Sequence, residues 1–383
     1  MKIGIEGQRL YRKKKHGMDM VALELIKNLQ KIDHDNEYVI FVKPDEDRGC
    51  IPEAANFKIV ELKGGPYPLW EQVALPRAAE QEACELLHCT SNTGPVKCNV
   101  PLITTLHDII YLESISLFKK SGTWYQKFGN MYRRWIVPPV VHKSVKVVTV
   151  SEFEKKRIRD FMGLGDNLVA IYNGVGEHFR KIDDQTMLDA AKSKYNLPDN
   201  FIFFLGNTDP KKNTPNVLRA FADFNANSDI QYKLVMLDYE ENALQQVLSD
   251  IGHSEIRKDI VMTGYVPNAE LPAIVNLCKV FLYPSLRESF GIPILEGMAC
   301  GVPVITSNTS SMPEIAGDAA LLVDPASTVG ITVAIRKVLT DDNLNKSLRE
   351  KGLKQAQKFS WKIMAENYLK LYKEIISAKG NEE

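Results

Sequence analysis

A nine-residue segment with a glutamate at each end carries groups suited to holding an anionic sugar derivative. It runs from Glu288 to Glu296 and includes Gly291 and Pro293. Proline suits the first turn of a helix, where its missing N–H costs no hydrogen bond, and glycine lets the backbone come close to a ligand. The free N–H groups of a helix start attract anions, so a diphosphate there would place its sugar towards Glu288 and its ribose towards Glu296. The segment therefore predicts a glycosyl-transfer site.

A turn with two lysines is a second candidate. A predicted strand ends at Gly206, and the turn delivers Lys211 and Lys212 before a helix predicted from Thr214 to Phe224. Ligands of α/β folds bind at strand ends, and a lysine there can stabilise the charge that grows on a leaving diphosphate. Two lysines on a turn are also common as solvated surface. The Glu288–Glu296 segment favours the functional interpretation, with Lys212 as the lysine that points inward.

His107 is a candidate from the first half of the chain. It follows a strand predicted from Leu102 to Leu106, so we expect it to face a ligand cleft from the N-terminal domain. An imidazole there, with Asp108 beside it, can bond a sugar hydroxyl or help to accept a proton from the acceptor. A lone histidine is more often structural, and the place after a strand favours a catalytic role. His88 ends another predicted strand, and we interpret it as structural.

Composition places the chain among ordinary globular proteins. Its 383 residues suit two domains. Lys plus Arg equals Asp plus Glu, 48 each, so no global field draws the chain to nucleic acid, and any membrane contact must be local. Six scattered cysteines lack CxxC spacing and are predicted to be reduced and buried. No apolar run reaches the roughly 18 residues of a spanning helix, which predicts a cytoplasmic protein.

Short β-rich runs alternate with amphipathic stretches, which predicts parallel α/β sheets. Strands are predicted at Lys2 to Ile5, Tyr38 to Val42, Phe57 to Leu62, Leu86 to Cys89, Leu102 to Leu106 and Val145 to Val150. A second set follows at Phe201 to Leu205, Tyr232 to Leu237, Asp259 to Met262, Val280 to Tyr283 and Val302 to Thr306. Polar composition places the hinge between the two predicted domains near residues 175–185. We predict an acceptor-side Rossmann-like domain over 1–178, a nucleotide-sugar domain over 179–360, and a helical segment, 361–383, that packs back on the first domain.

Gly17 separates a basic loop from a predicted helix. A glycine there can let backbone amides approach phosphates. The loop from Arg12 to His16 has three interpretations: solvated charge, contact with an anionic acceptor such as a lipid diphosphate, or contact with the inner membrane surface. Aromatic residues that follow in the chain are another candidate for a lipid-facing or acceptor surface, although packing is their commoner role. They are Trp124, Tyr125, Phe128, Tyr132 and Trp135.

Other known motifs are weak or missing. Asp45-Glu46-Asp47 matches the DxD pattern by which many metal-dependent glycosyltransferases hold a cation, but Pro44 and the flanking charges favour a turn. Neither GxGxxG nor GxxxxGK[ST] opens a helix after a predicted strand, which disfavours a dinucleotide dehydrogenase and a P-loop kinase. The lysine turn and the helix start can take the electrostatic role of a metal. We therefore expect no metal and no cofactor.

Together these residues resemble the family 4 retaining glycosyltransferases, which share the GT-B fold. The C-terminal likeness runs from about Phe201 to Pro325 and includes Thr263-Gly264-Tyr265-Val266, Tyr283-Pro284-Ser285 and the E-x7-E segment. The weaker N-terminal likeness includes Leu106-His107-Asp108. The resemblance implies two facing α/β Rossmann-like domains with parallel sheets and a deep interdomain cleft.

The resemblance also implies roles for individual positions. The catalytic positions are His107, as the active-site histidine, and Glu288, which bonds hydroxyls of the donor sugar. Lys212 corresponds to the diphosphate lysine and Glu296 to the ribose-binding glutamate. The full set of implied donor-binding positions is Gly17, Asn207, Lys212, Tyr265, Val266, Phe290, Gly291, Ile292, Leu295 and Glu296.

Asn207 departs from the family pattern. Members commonly carry an arginine directly after the strand-ending glycine, as a second cation on the diphosphate. Here Lys211 or Arg287 can substitute, or the stabilisation of the leaving group is weaker. These alternatives stay open at the level of sequence.

The resulting hypothesis is a metal-independent hexosyltransferase that acts with retention. It would move a mannose- or glucose-type sugar from a GDP- or UDP-linked donor to a hydroxyl of a glycan or lipid-linked acceptor, in cell-surface polysaccharide synthesis. One alternative is another GT-B enzyme, an epimerase or a phosphorylase, which would turn over without an acceptor alcohol. Another is an inactive scaffold that binds nucleotide sugars without transfer.

Overall fold

The computed structural model describes residues 1–63, 65–113 and 124–380, and the side chains of residues 124–127 and 379–380 lie outside the description. Two compact units make up the chain. Unit 1 comprises Met1–Asn173 with Trp361–Glu383, and unit 2 comprises Gly174–Ser360.

Unit 1 is built on a seven-stranded sheet. Its strands are β1 (Lys2–Glu6), β2 (Glu37–Val42), β3 (Phe57–Glu61), β4 (Leu86–Cys89), β5 (Leu102–Thr105), β6 (Lys146–Thr149) and β7 (Leu168–Ala170), in the spatial order β3-β2-β1-β4-β5-β6-β7. Every pair is parallel. Its helices are α1 (Gly17–Ile32), α2 (Tyr67–Leu69), α3 (Leu75–Gln81), α4 (Ile110–Glu113), α5 (Trp124–Lys143) and α6 (Glu152–Met162), with a π-helical turn at Trp70–Ala74 between α2 and α3.

Unit 2 repeats this plan with six strands. They are β8 (Phe201–Phe204), β9 (Lys233–Met236), β10 (Ile260–Met262), β11 (Val280–Tyr283), β12 (Val304–Ser307) and β13 (Ala320–Val323), all parallel, in the order β10-β9-β8-β11-β12-β13. Its helices are α7 (Gln185–Lys194), α8 (Thr214–Ala226), α9 (Glu241–Ile251), α10 (Leu271–Leu277), α11 (Ile292–Ala299), α12 (Met312–Ala316), α13 (Thr328–Thr340) and α14 (Asp342–Ala356).

Apolar strands form the centre of each unit. The four residues of β8 and the four of β11 are all buried, as expected for parallel strands covered by helices on both faces. In unit 1 the strands β4 and β5 are likewise buried throughout. The central strands lie within one or two residues of their predicted positions, because uninterrupted apolar runs mark this kind of strand.

Two strands were not predicted from sequence. β7 and β13 each close one edge of a sheet, where they pair on one side and keep partly exposed side chains. Both strands are short, with three and four residues, and their sequences are apolar like those of the central strands, so the sequence analysis passed over a signal that was present.

The last helix, α15 (Trp361–Gly380), returns to unit 1 and packs against α1. Its Tyr372 hydroxyl lies 2.7 Å from His88 Nδ1, and Thr105 Oγ1 lies 2.7 Å from His88 Nε2. Burial, with His107 nearby, lowers the pKa of His88 to about 3. Both ring nitrogens are used inside the unit, so the structural interpretation of His88 is confirmed.

The six cysteines are all unpaired thiols, and five of them are buried. Within the described ranges no helix is long and apolar enough to cross a membrane.

Candidate active site

The strand order of unit 2 brings two separated motifs together. The chain builds β8, β9 and β10 towards one edge of the sheet and then returns to place β11 on the other side of β8. Ligands of open α/β sheets bind where the strand order reverses, at the carboxyl ends of the strands. The lysine turn follows β8, and the loop with Glu288 follows β11, so both lie at this switch point.

Backbone turns and one buried asparagine hold the lysine turn in place. Asp209 accepts a hydrogen bond from the backbone N–H of Lys211, and it caps the 3-10 turn Pro210–Lys212. Asn213 follows at φ 63°, a left-handed conformation that asparagine tolerates better than most residues. Its amide Nδ2 donates to the carbonyl oxygens of Pro284 (3.1 Å) and Pro325 (2.7 Å). The turn is thereby tied to the loop after β11 and to the loop after β13.

Lys212 forms the centre of a charged cluster. Its Nζ lies 2.7 Å from Glu288 Oε1 and 2.6 Å from the hydroxyl oxygen of Tyr283. Lys211 approaches the same carboxylate from the surface, with Nζ 3.8 Å from Glu288 Oε2. Burial together with the Glu288 charge raises the pKa of Tyr283 well above its usual value, so the phenol stays neutral. An ammonium group has three N–H donors, which leaves Lys212 one for a ligand.

Two serines that the sequence analysis missed position Glu288. Ser310 Oγ accepts a hydrogen bond of 3.1 Å from the Glu288 backbone N–H, and the Ser311 hydroxyl donates to the carbonyl oxygens of Glu288 (2.9 Å) and Phe290 (3.0 Å). Both serines follow β12, the strand beside β11. A Ser-Ser pair carries no recognisable signal in sequence, because its role depends on the neighbouring strand.

Helix α11 starts where the sequence predicts, directly after Gly291. That residue adopts φ 96°, and no side chain caps the helix. Glu296 projects from the second turn of α11 and is partly buried, and its carboxylate makes no hydrogen bond or ion pair within the described residues. Burial, only partly offset by the Lys212 charge, raises the pKa of Glu296 to about 7. An unsatisfied carboxylate of this kind is a candidate for ligand binding.

The remaining donor-binding positions of unit 2 differ in what they can present. Tyr265, after β10, is 76% exposed, whereas the neighbouring Val266 is buried. Leu295 and Phe290 are buried, so their side chains pack in the unit and only their backbone is left to meet a ligand. Asn207 is exposed, and its Oδ1 accepts the backbone N–H of Asp209 at 2.9 Å.

His107 lies directly after β5 in unit 1, where the sequence analysis placed it. Its backbone N–H donates to Asn92 Oδ1 at 2.6 Å, and its Nε2 lies 3.0 Å from the carbonyl oxygen of Thr90. Because a carbonyl only accepts, Nε2 carries the proton and Nδ1 is left as an acceptor. Burial lowers the pKa of His107, against the raising effects of the Thr90 contact and of nearby carboxylates. The neutral imidazole is therefore favoured.

Gly17 forms the exposed first residue of α1, and a Cβ placed there would have no atom within 4 Å. The basic loop before it pairs with the DxD segment: Lys15 contacts Asp47, and Lys13 lies 3.8 Å from Glu46. Among the described residues no group of three or more His, Cys, Asp or Glu side chains is arranged to hold a metal ion.

Comparison with known proteins shows the family. The model for Glycosyltransferase Family 4 matches residues 16–178, and the model for Glycosyl transferases group 1 matches residues 187–355. The O-antigen chain mannosyltransferase B of Escherichia coli is 31% identical over 276 residues, which cover 71% of this chain and 70% of that protein. The chain belongs to glycosyltransferase family 4.

Two further matches bear on this family 4 protein. The serotype-specific mannosyltransferase WbdA of Escherichia coli is 32% identical over 271 residues, or 69% of this chain, and the match spans about a third (32%) of that longer relative. The crystal structure of Anabaena HepE in complex with UDP-glucose matches with a TM-score of 0.74 at 15% identity, and covers 98% of this chain and 100% of that one. The fold is GT-B, with one parallel α/β sheet in each unit.

Proposed function

We propose that this family 4 protein transfers a hexose from a nucleoside diphosphate sugar to a hydroxyl of a glycan or lipid-linked glycan. Transfer would retain the anomeric configuration, need no metal ion and serve cell-surface polysaccharide synthesis. The relatives named above support the acceptor class, since they are an O-antigen chain mannosyltransferase and a serotype-specific mannosyltransferase. The Anabaena complex with UDP-glucose supports a nucleotide-sugar donor. A mannose- or glucose-type sugar on GDP or UDP is the corresponding donor.

The observation that carries the proposal is the Lys212–Glu288 pair beside the uncapped start of α11. Nζ and carboxylate are 2.7 Å apart, partly buried, and lie at the switch point of the sheet. A diphosphate at this helix start would meet backbone N–H groups and the positive end of the helix dipole. Lys212 would supply the ammonium group for the oxygen that departs. These groups can perform the charge stabilisation that other transferases obtain from a metal ion.

In the proposed mechanism the sugar lies against Glu288, which accepts hydrogen bonds from its hydroxyls. The glycosidic C–O bond breaks as the acceptor oxygen approaches from the same face, and the departing phosphate oxygen takes the acceptor proton. Positive charge develops at the anomeric carbon, and negative charge develops on the diphosphate beside Lys212. Glu288 holds the sugar and needs no covalent bond to it.

Three further residues complete the proposed donor contacts. Glu296 would accept hydrogen bonds from the ribose hydroxyls, which would satisfy its unpartnered carboxylate. Tyr265 would lie near the base. Neutral His107, with Nδ1 available as an acceptor, would bond a sugar hydroxyl.

Thermal-shift measurements with a panel of GDP- and UDP-linked hexoses test the donor, because a ligand that binds only the folded state raises the melting temperature. Product analysis by NMR then gives the anomeric configuration, and activity after chelation tests metal independence. Turnover without an acceptor alcohol would indicate an epimerase or phosphorylase, and donor binding without transfer would indicate a scaffold.

The variant Glu288→Gln tests the site itself. A neutral amide can still accept from Lys212, so the fold should persist, while kcat should fall by about 10²–10³, as for loss of a transition-state contact. Glu350→Gln, a substitution of an exposed glutamate on α14, is the matched control. Near-full transfer by purified Glu288→Gln protein would refute the assigned role.

A further inference from the structure

Unit 1 contains a cavity whose lining includes none of the residues assigned above to donor contacts, although His16 and Met18, the chain neighbours of Gly17, belong to it. It has a volume of about 610 Å³ and is lined from the ends of β1 and β2, from the basic loop and from α2 and α5. We call it the cationic pocket and define it by Arg9, Arg12, Lys43, Arg133, Tyr67 and Tyr132. Its volume lies in the range of small-molecule sites.

Positive charge dominates this lining. Four guanidinium or ammonium groups face one carboxylate, Asp45, although the whole chain carries equal numbers of the two signs. Lys43 Nζ donates to the carbonyl oxygen of Gly65, and Arg133 Nη1 lies 3.3 Å from Asn130 Oδ1. Because both partners are neutral, they do not compensate the positive charges of Lys43 and Arg133. Arg12, Lys43 and Arg133 make no ion pair within the described residues.

Nearby carboxylates do not cancel this charge. Glu46 and Asp47 face Lys13 and Lys15 of the basic loop. Glu6 and Asp19 act on Arg9: burial lowers the pKa of Arg9, but Tyr67 and these two carboxylates raise it, and the net effect is a rise. The other three cations are therefore available to an anionic ligand.

A hydrogen-bonded network centred on the buried Glu71 supports the pocket wall. Glu71, on the π-helical turn, accepts hydrogen bonds from the hydroxyls of Tyr67 (2.7 Å) and Tyr132 (2.6 Å) and from the Thr93 hydroxyl. The Arg9 guanidinium lies over the Tyr67 ring, 5.4 Å from its centroid. π-Helical turns inside helices occur frequently at functional sites. Here the turn aims Glu71 at both tyrosines and so fixes two aromatic rings beside the cations.

We propose that the cationic pocket binds the phosphate or diphosphate of a glycosyl phosphate, and that this group belongs to the acceptor. Arginine forms bidentate hydrogen bonds with phosphate oxygens, lysine adds a point charge, and aromatic rings can cover the apolar face of a sugar. The inference rests on the proposed function, in which the donor diphosphate lies in unit 2. The phosphate can come from a lipid-linked diphosphate glycan or from a soluble sugar phosphate, which share this chemistry.

Pyrophosphate titration by calorimetry separates this site from the donor site. Wild-type protein should bind inorganic pyrophosphate at two sites. Lys212→Gln should lose the donor site alone, and Arg12→Gln/Lys43→Gln should weaken the other by about tenfold for each cation, since charge-assisted bonds are strong. A control with the same charge change, Lys14→Gln/Lys97→Gln, alters exposed lysines outside the lining and should keep both sites.

Three outcomes of the titration are distinguishable. Unchanged pyrophosphate binding in Arg12→Gln/Lys43→Gln, or loss of all binding in Lys212→Gln, overturns the pocket proposal. If Lys212→Gln changes nothing while the pocket variant loses all binding, the pocket stands and the proposed donor site fails.

Acceptor kinetics provide the second test. With farnesyl-diphosphate-linked mannose as the acceptor, Arg12→Gln/Lys43→Gln should raise the acceptor KM at least about tenfold and leave the donor KM unchanged. Mannose 1-phosphate replaces this acceptor in a second arm, and equal KM values in the two arms identify the phosphate, not the lipid, as the recognised group. The KM for methyl mannoside as acceptor should be the same in Arg12→Gln/Lys43→Gln as in the wild-type protein. An equal rise in KM for methyl mannoside would overturn the proposal.

Discussion

Replacing Glu296 with glutamine should stabilise unit 2 at high pH while it weakens donor binding. Burial raises the pKa of Glu296 from 4.5 to about 7, so the folded unit binds this proton more tightly than the unfolded chain. One pKa unit corresponds to about 1.36 kcal/mol, so the ionised carboxylate would destabilise the folded unit by about 3 kcal/mol if it were fully removed from water. The side chain is partly exposed, and solvent screening reduces the expected penalty to about 1–2 kcal/mol.

The sign of the pH dependence follows from which state loses the proton first. Below pH 4.5 both states keep the proton, and glutamate and glutamine are nearly equivalent. As pH rises from 4.5 to about 7, the unfolded chain ionises while the folded unit does not, so stability falls. Above about pH 7 the penalty is complete. The advantage of Glu296→Gln should therefore be absent at pH 4.5 and largest at pH 8.

Thermal unfolding at pH 4.5, 6 and 8 measures this advantage. For a unit of this size about 1 kcal/mol shifts the melting temperature by about 2–4 °C, so the variant should melt about 2–8 °C higher at pH 8. Glu350→Gln, on the exposed face of α14, should show no such trend. A pH-independent shift, or a lower melting temperature at pH 8, would refute the argument that Glu296 is an uncompensated carboxylate.

Three other outcomes are expected. In wild-type protein the donor KM should rise as pH falls below about 7, because protonation removes the Glu296 carboxylate that accepts the ribose hydroxyls, and Glu296→Gln should flatten this profile. Gly17→Ala should leave the melting temperature unchanged or slightly higher, since a Cβ there meets no atom within 4 Å. The same substitution should raise the donor KM, and an unchanged donor KM would contradict close approach of a donor phosphate to Gly17. Asn213→Ala should lower the free energy of unfolding by about 2–3 kcal/mol, because three side-chain hydrogen bonds are lost and alanine is strained at φ 63°. Asn213→Gly should lose less, and urea denaturation compares the two variants.

The elements that carry the site were predictable because their signals are local. Apolar runs located the central strands β8 and β11, and a glycine followed by a proline located the start of α11. In each case the residues that give the signal are the residues that form the element. His107 after β5 was placed by the same argument.

Sequence alone determined the fold class and the residues that could do chemistry, because hydrophobic periodicity and short motifs depend on neighbours in the chain. Only the tertiary structure decided which of them meet. Lys212 and Glu288 lie 76 positions apart and become partners because β8 and β11 are adjacent in the sheet. The contacts of Ser310 with Glu288 and of Tyr132 with Glu71 likewise join strands and helices that are distant in sequence. Burial of Glu296, which sets its pKa, is likewise a property of the packed unit, since no local pattern records how much water a side chain keeps.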